Sequence, residues 1–136
     1  GLRWEIPMHE GDYTAKVIAR KGNKTVEDTI QFHYQTAKWE KPARLTLSVK
    51  SVREDTATVL AKALDKNGVL CLDATNFVCF SIAGDGKLID DMGTSEGSRE
   101  IQLYNGRAII RVKINHGSSM VGVASKGLST ALLKLE

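Results

Sequence analysis

Residues 64–88 read Leu-Asp-Lys-Asn-Gly-Val-Leu-Cys-Leu-Asp-Ala-Thr-Asn-Phe-Val-Cys-Phe-Ser-Ile-Ala-Gly-Asp-Gly-Lys-Leu. An Asp65-Lys66-Asn67-Gly68 reversal leads into an alternating run, Val78, Phe80 and Ile82, which breaks at Gly84-Asp85-Gly86. A calcium loop of the EF-hand type needs oxygen ligands at alternate positions before its glycine and a Glu six residues after it. Here Leu64 and Val69 flank the turn, and Ala74 stands where that Glu would be. No helix start follows Gly84-Asp85-Gly86, so that bend is no phosphate cradle. What remains is a hairpin turn, a crossing, and a core strand that ends at a glycine-rich bend.

The same period of two runs along most of the 136 residues. Leu2, Trp4 and Ile6 share a parity, as do Tyr13, Ala15, Val17 and Ala19, and then Val26, Ile30, Phe32 and Tyr34. Further sets are Leu45/Leu47/Val49, Ala57/Val59/Ala61/Ala63, Ala108/Ile110/Val112/Ile114, Val121/Val123 and Ala131/Leu133/Leu135. Each places one apolar face inward, as a half-buried strand requires. Gly- and Asn-rich turns separate the runs, and no segment keeps a helical period over three turns. The pattern predicts an all-β fold, an immunoglobulin-like β-sandwich.

Thr36–Pro42 is polar, ends in proline and precedes a fresh start at Ala43. A boundary here divides the chain into residues 1–41 and 42–136. The first part holds about three expected strands, too few to bury both faces of a sheet. It reads as the end of a preceding, truncated sandwich, and the second part as a complete one. The chain begins at Gly1 rather than Met, as a processed product or fragment would. The apolar face of residues 1–41, set by Trp4, Ile6, Tyr13, Val17, Ile30 and Phe32, is expected to dock on the second part or, in preference, to self-associate.

Composition narrows the function. The chain is 42% hydrophobic and 26% charged, with a formal net charge of +3. Its cations are scattered, the densest group being Arg20, Lys21 and Lys24 around a turn, so nucleic acid is not an expected partner. No apolar run nears the roughly 20 residues of a membrane helix. Cys71 and Cys79, eight apart across an expected strand, are too distant for a disulfide and read as free thiols packed as small apolar groups. Their spacing makes no zinc motif, and no cofactor or metal site is expected. Asp90-Asp91 is an adjacent pair, but strand neighbours face opposite ways and cannot readily act on one bond. His9, His33 and His116 are dispersed, and no ordered Ser-His-Asp pattern is present. Asn23-Lys24-Thr25 is a glycosylation sequon by pattern only. No catalytic residue is expected. Trp39, off any strand parity, and Tyr104, before a glycine turn, are the candidates for interdomain or sugar contact.

The order of several motifs resembles the C-terminal immunoglobulin-like domains of glycoside hydrolase family 2 β-galactosidases. These are D-x-N-G and A-x-N-x-V-x-F-x-I-x-G-x-G-x-L (Asp65 to Leu88), Y-N-G-R-A (Tyr104 to Ala108) and V-A-S-K-G-L (Val123 to Leu128). Trp4 to Lys24, leading to Q-T-A-K-W-E-K-P, resembles the end of the preceding sandwich in those enzymes. Two places depart from the pattern: Lys38-Trp39-Glu40 lengthens the hinge, and Leu72 stands where proline is usual. The resemblance implies a parent hydrolase whose two catalytic Glu lie in an upstream barrel absent from this chain. It also implies a non-catalytic module that contacts the parent's other domains or a polysaccharide, in a bacterial periplasm or outside the cell. An immunoglobulin-like repeat of a bacterial adhesin is the alternative.

Overall fold

The structure, a computed structural model, describes residues 3–136. It contains ten strands and, among the described residues, no helix. Two compact units make up the chain, Gly1–Lys38 and Trp39–Glu136.

The first unit is one long antiparallel hairpin. Strand β1 (Gly11–Lys21) pairs with β2 (Lys24–Tyr34) across a two-residue Gly22-Asn23 turn. Gly22 takes φ 58°, the left-handed backbone such a tight reversal needs. Tyr13 lies opposite Phe32, Ala15 opposite Ile30 and Ala19 opposite Val26, so the apolar parity of both strands falls on one face. The rings of Tyr13 and Phe32 stack with centroids 5.7 Å apart. Nothing within the unit covers the rest of that face: Val26 is 70% exposed and Ile30 60%.

Two expectations fail here. Residues 3–10 form no strand, leaving two strands in this unit rather than about three. Trp4 and Ile6, expected in a core, are more than half exposed. Alternation supplies a face, but a strand forms only where a neighbour takes up its N–H and C=O groups, and no described pairing joins residues 3–10 to either open edge of the hairpin. Leu2, the third member of that set, lies outside the described residues.

The second unit is the sandwich. One sheet has the order β3-β4-β8-β6, from Arg44–Arg53, Thr56–Leu64, Arg107–Lys113 and Lys87–Leu88. The other is β10-β9-β5-β7, from Ala131–Leu135, Ser119–Ala124, Phe77–Gly84 and Gly97–Gln102. Pairing within both sheets is antiparallel, and the division between them is that of an immunoglobulin-like sandwich. Strand β4 shows why these residues form it: Ala57, Val59, Ala61 and Ala63 are fully buried, while Thr56, Thr58, Leu60 and Lys62 between them are half-buried. Small alanines on β4 leave room for Phe80, Leu88, Ile110, Val112 and Val121, all buried at the centre.

Gly84-Asp85-Gly86 is where the chain leaves β5 for β6 in the other sheet. Gly84 has φ 107°, and a Cβ there would stand 2.4 Å from the Ser118 carbonyl oxygen. Asp85 Oδ2 accepts the Gly117 N–H at 3.0 Å, and Gly86 N donates to Ser119 Oγ at 2.8 Å. The bend is thus sewn to the β8–β9 turn.

Both cysteines are free, as expected. Cys71 is buried in the core, whereas Cys79 is half-buried, and a loop rather than strand leads from Cys71 to the start of β5 at Phe77.

Two outcomes follow. Phe80→Ala should lower the stability of the sandwich by about 3–5 kcal/mol through the cavity it leaves, read by denaturant unfolding. The 136-residue chain should show a mass above the monomer in light scattering at high concentration, falling on dilution, and Ile30→Lys should abolish the excess. A strict monomer at all concentrations would rule out association through the hairpin face.

Candidate functional site

Motifs far apart in sequence converge at one end of the sandwich. Asp65 ends β4's turn with its side chain fully buried, and both oxygens are occupied. Oδ1 accepts the N–H groups of Asn67 at 2.9 Å and Val69 at 2.8 Å, and Oδ2 accepts that of Glu40 at 2.9 Å. This is an Asx-type turn, in which a carboxylate replaces a backbone acceptor and Gly68 supplies φ 85°. The Glu40 N–H, with those of Val69, Asn67 and Gly68, holds the Asp65 carboxyl below the usual range. Both Asp65 oxygens are thus turned toward backbone donors of the turn and of Glu40.

The Glu40 contact fastens the segment before β3. Around it, Lys66 Nζ lies 3.1 Å from Glu40 Oε2, and the Cys71 thiol points at the Glu40 carbonyl at 3.5 Å. Trp39 is half-buried, packs against the core of this unit, and donates its indole N–H to Asp73 Oδ1. Burial first, then the negative charges of Asp65 and Asp73, push the Cys71 thiol up, so it is no nucleophile at neutral pH.

Tyr104 sits at the same end. Asn105 (φ 50°) and Gly106 (φ 69°) make the two-residue turn between Tyr104 and Arg107, with Arg107 N donating to Tyr104 O at 3.0 Å. Gly106 is pressed on the Cys71 loop: a Cβ there would lie 2.3 Å from the Cys71 carbonyl oxygen, and Gly106 O accepts the Ala63 N–H at 2.9 Å. Tyr104 itself is 81% exposed. D-x-N-G, Y-N-G-R and Trp39 therefore form one loop cluster around Cys71.

The other acids singled out are in structural use. Asp90 lies off any strand and grips the Arg111 guanidinium through two bonds of 2.8 and 2.7 Å, which keeps its carboxyl low. Sequence reasoning, occupied with Asp90 and Asp91 as neighbours, missed this pair because Arg111 is 21 positions away. His33 Nδ1 is 2.8 Å from Asp12 Oδ1 on the hairpin surface. In the same unit Glu10 Oε1 accepts the Thr36 and Ala37 N–H groups at 2.7 and 3.2 Å. The Thr36 hydroxyl and these N–H groups hold Glu10 below the ordinary carboxylate range. Among the described residues no cluster of three or more His, Cys, Asp or Glu is placed to hold a metal.

The fold defines an immunoglobulin-like β-sandwich, closed at one end by the cluster around Cys71. Residues 46–134 match the sequence profile of glycoside hydrolase family 2 C-terminal domain 5, and the chain belongs to that family. Among solved structures it is similar to the Parabacteroides merdae β-glucuronidase, with 47% identity and TM-score 0.74, covering 95% of this chain and 16% of that one. It is also similar to Bacteroides uniformis β-glucuronidase 3, with 36% identity and TM-score 0.78, covering 98% of this chain and 17% of that one. The β-galactosidase BoGH2A of Bacteroides ovatus is more distant, 26% identical over 98% of this chain and 16% of its own length. The chain thus spans between 14% and 17% of the length of the first relatives it matches. Family membership replaces the adhesin alternative.

Two tests address the cluster. Because its folded pKa is depressed, Asp65 contributes stability that is present above about pH 4–5 and lost as pH falls through the folded value. Asp65→Asn should therefore be less stable than the parent sequence at pH 7, with the difference shrinking below about pH 4 in denaturation curves taken across pH. Gly106→Ala, strained at φ 69° and in collision with backbone, should destabilise the sandwich by more than about 1 kcal/mol.

Proposed function

We propose that this chain is the C-terminal accessory region of a β-glucuronidase-type family 2 glycoside hydrolase, and that it is itself non-catalytic. The observation that carries this reading is the 47% identity to the Parabacteroides merdae β-glucuronidase across 95% of the chain, against 26% to the β-galactosidase expected from sequence motifs.

Physical chemistry supports the division of labour. Hydrolysis of a glycoside needs two carboxylates flanking one bond on a concave scaffold. Here Asp65 accepts from backbone donors, Asp90 from Arg111 and Glu10 from the Thr36–Ala37 segment. The module's own contribution is contact. The outer face of sheet β10-β9-β5-β7 carries Phe77, Met120 and Leu132, all well exposed, around small residues such as Ser81, Ala83 and Gly122. These exposed apolar side chains suit it to packing on another domain of the parent.

The full-length parent should turn over 4-nitrophenyl β-glucuronide with kcat/KM at least ~100-fold above the β-galactoside, because a site that pairs the uronate carboxylate rejects a sugar lacking it. The 136-residue chain alone should turn over neither. Preference of the parent for the galactoside, or turnover that copurifies with the chain, would overturn the corresponding part of this reading.

A further inference from the structure

The two outer faces of the sandwich differ in charge. On sheet β3-β4-β8-β6 the register aligns outward side chains in rows. Thr46, Lys62 and Arg107 form one, Ser51, Thr58 and Arg111 another, and Arg53, Thr56, Lys113 and Lys87 a third. The carboxylates that meet this face are Asp90, paired with Arg111 at 2.7 Å, and Asp55, 3.3 Å from Lys113. Burial, then, does not explain the cations; they stand in solvent, whereas the outside of the partner sheet sets Lys134 against Glu100.

Within this face lies a shallow depression of about 520 Å³ lined by Lys50, Ser51, Arg53, Thr56, Thr58 and Arg111. A bulge between Val49 and Ser51 shifts the register of β3 at Lys50, which bends the edge strand and opens the hollow. Three cations and three hydroxyls line it, and no carboxylate does. Arg111 is held in place by Asp90 through Nε and Nη2, and among the described residues Nη1 has no partner. A fixed guanidinium with a free donor edge suits a planar carboxylate, and serine and threonine hydroxyls suit sugar hydroxyls.

We propose that this depression is a binding subsite for a uronate residue of an acidic polysaccharide, with Arg53, Lys50 and Arg111 meeting the carboxylate and Thr56, Thr58 and Ser51 the ring hydroxyls. The choice of a uronate rests on the β-glucuronidase reading above. The face favours a glycan over nucleic acid because its apolar members are Leu60 and Ile109, aligned across β4 and β8, and no aromatic ring offers a base a surface to stack on.

The test is calorimetric titration of the 136-residue chain with polygalacturonate, heparin, neutral xylan and a short DNA duplex. Polygalacturonate should bind, weakening as salt is added, and xylan should not. The double variant Lys50→Gln/Arg53→Gln should raise the Kd for polygalacturonate about tenfold or more, as loss of charge-assisted bonds requires. Lys16→Gln/Lys24→Gln, an equal change of net charge on the hairpin, should leave it within about twofold. Circular dichroism checks that both variants fold. Equal losses in the two variants, binding to heparin without polygalacturonate, or equal affinity for DNA would each overturn the proposal. The parent's preference among aryl glycosides is read in a separate assay, so either reading can fail while the other stands.

Discussion

A single buried carboxylate organises the sandwich end. Asp65 has no solvent to share its charge with, so its stability depends on the N–H groups aimed at it. Those donors come from its own turn and from Glu40, 25 residues earlier, and they bring together the segment entering the domain and the loop leaving β4. Once that junction is made, Trp39 can reach Asp73, Cys71 is sealed beneath it, and the Asn105-Gly106 turn can rest on the Cys71 carbonyl. An amide of the same shape would turn one of the two accepting oxygens into a donor facing those N–H groups.

Much of this architecture was legible in the alternation of apolar residues. β4, β5 and β8 alternate because one side of each is packed on the facing sheet, and the structure buries the expected parity in them; β9 buries the expected Val121 and Val123, with Gly122 buried between them. The hairpin parity of Tyr13, Ala15, Ala19, Val26, Ile30 and Phe32 was also legible, since pairing register is a local property of a two-residue turn. Burial of that face was not legible, because a pattern states which side is apolar and not what lies against it. Trp4 and Ile6 show the same limit: their spacing suits a strand, yet no neighbour is there to pair with it.

The site was less legible than the fold for a related reason. Asp65 reads as a polar turn residue, and its D-x-N-G context announces an Asx turn, but its burial depends on Glu40 arriving from another part of the chain. Arg111 and Asp90 are each unremarkable in sequence and become a fixed pair only through the crossing that follows β6. The depression beside them depends on a bulge at Lys50, and a one-residue slip in register leaves no mark in composition. Trp39 stood out early because it breaks parity, and residues that break a pattern are where tertiary contacts enter.

The fastening of Glu40 and of Thr36–Ala37 has a mechanical consequence. Glu10 grips the chain as far as Ala37 within the first unit, and the second unit takes hold at Trp39. Between the two grips stands Lys38 alone. A polar stretch that looks like seven residues of slack is thus held at both ends, by Glu10 within the first unit and by Asp65 within the second.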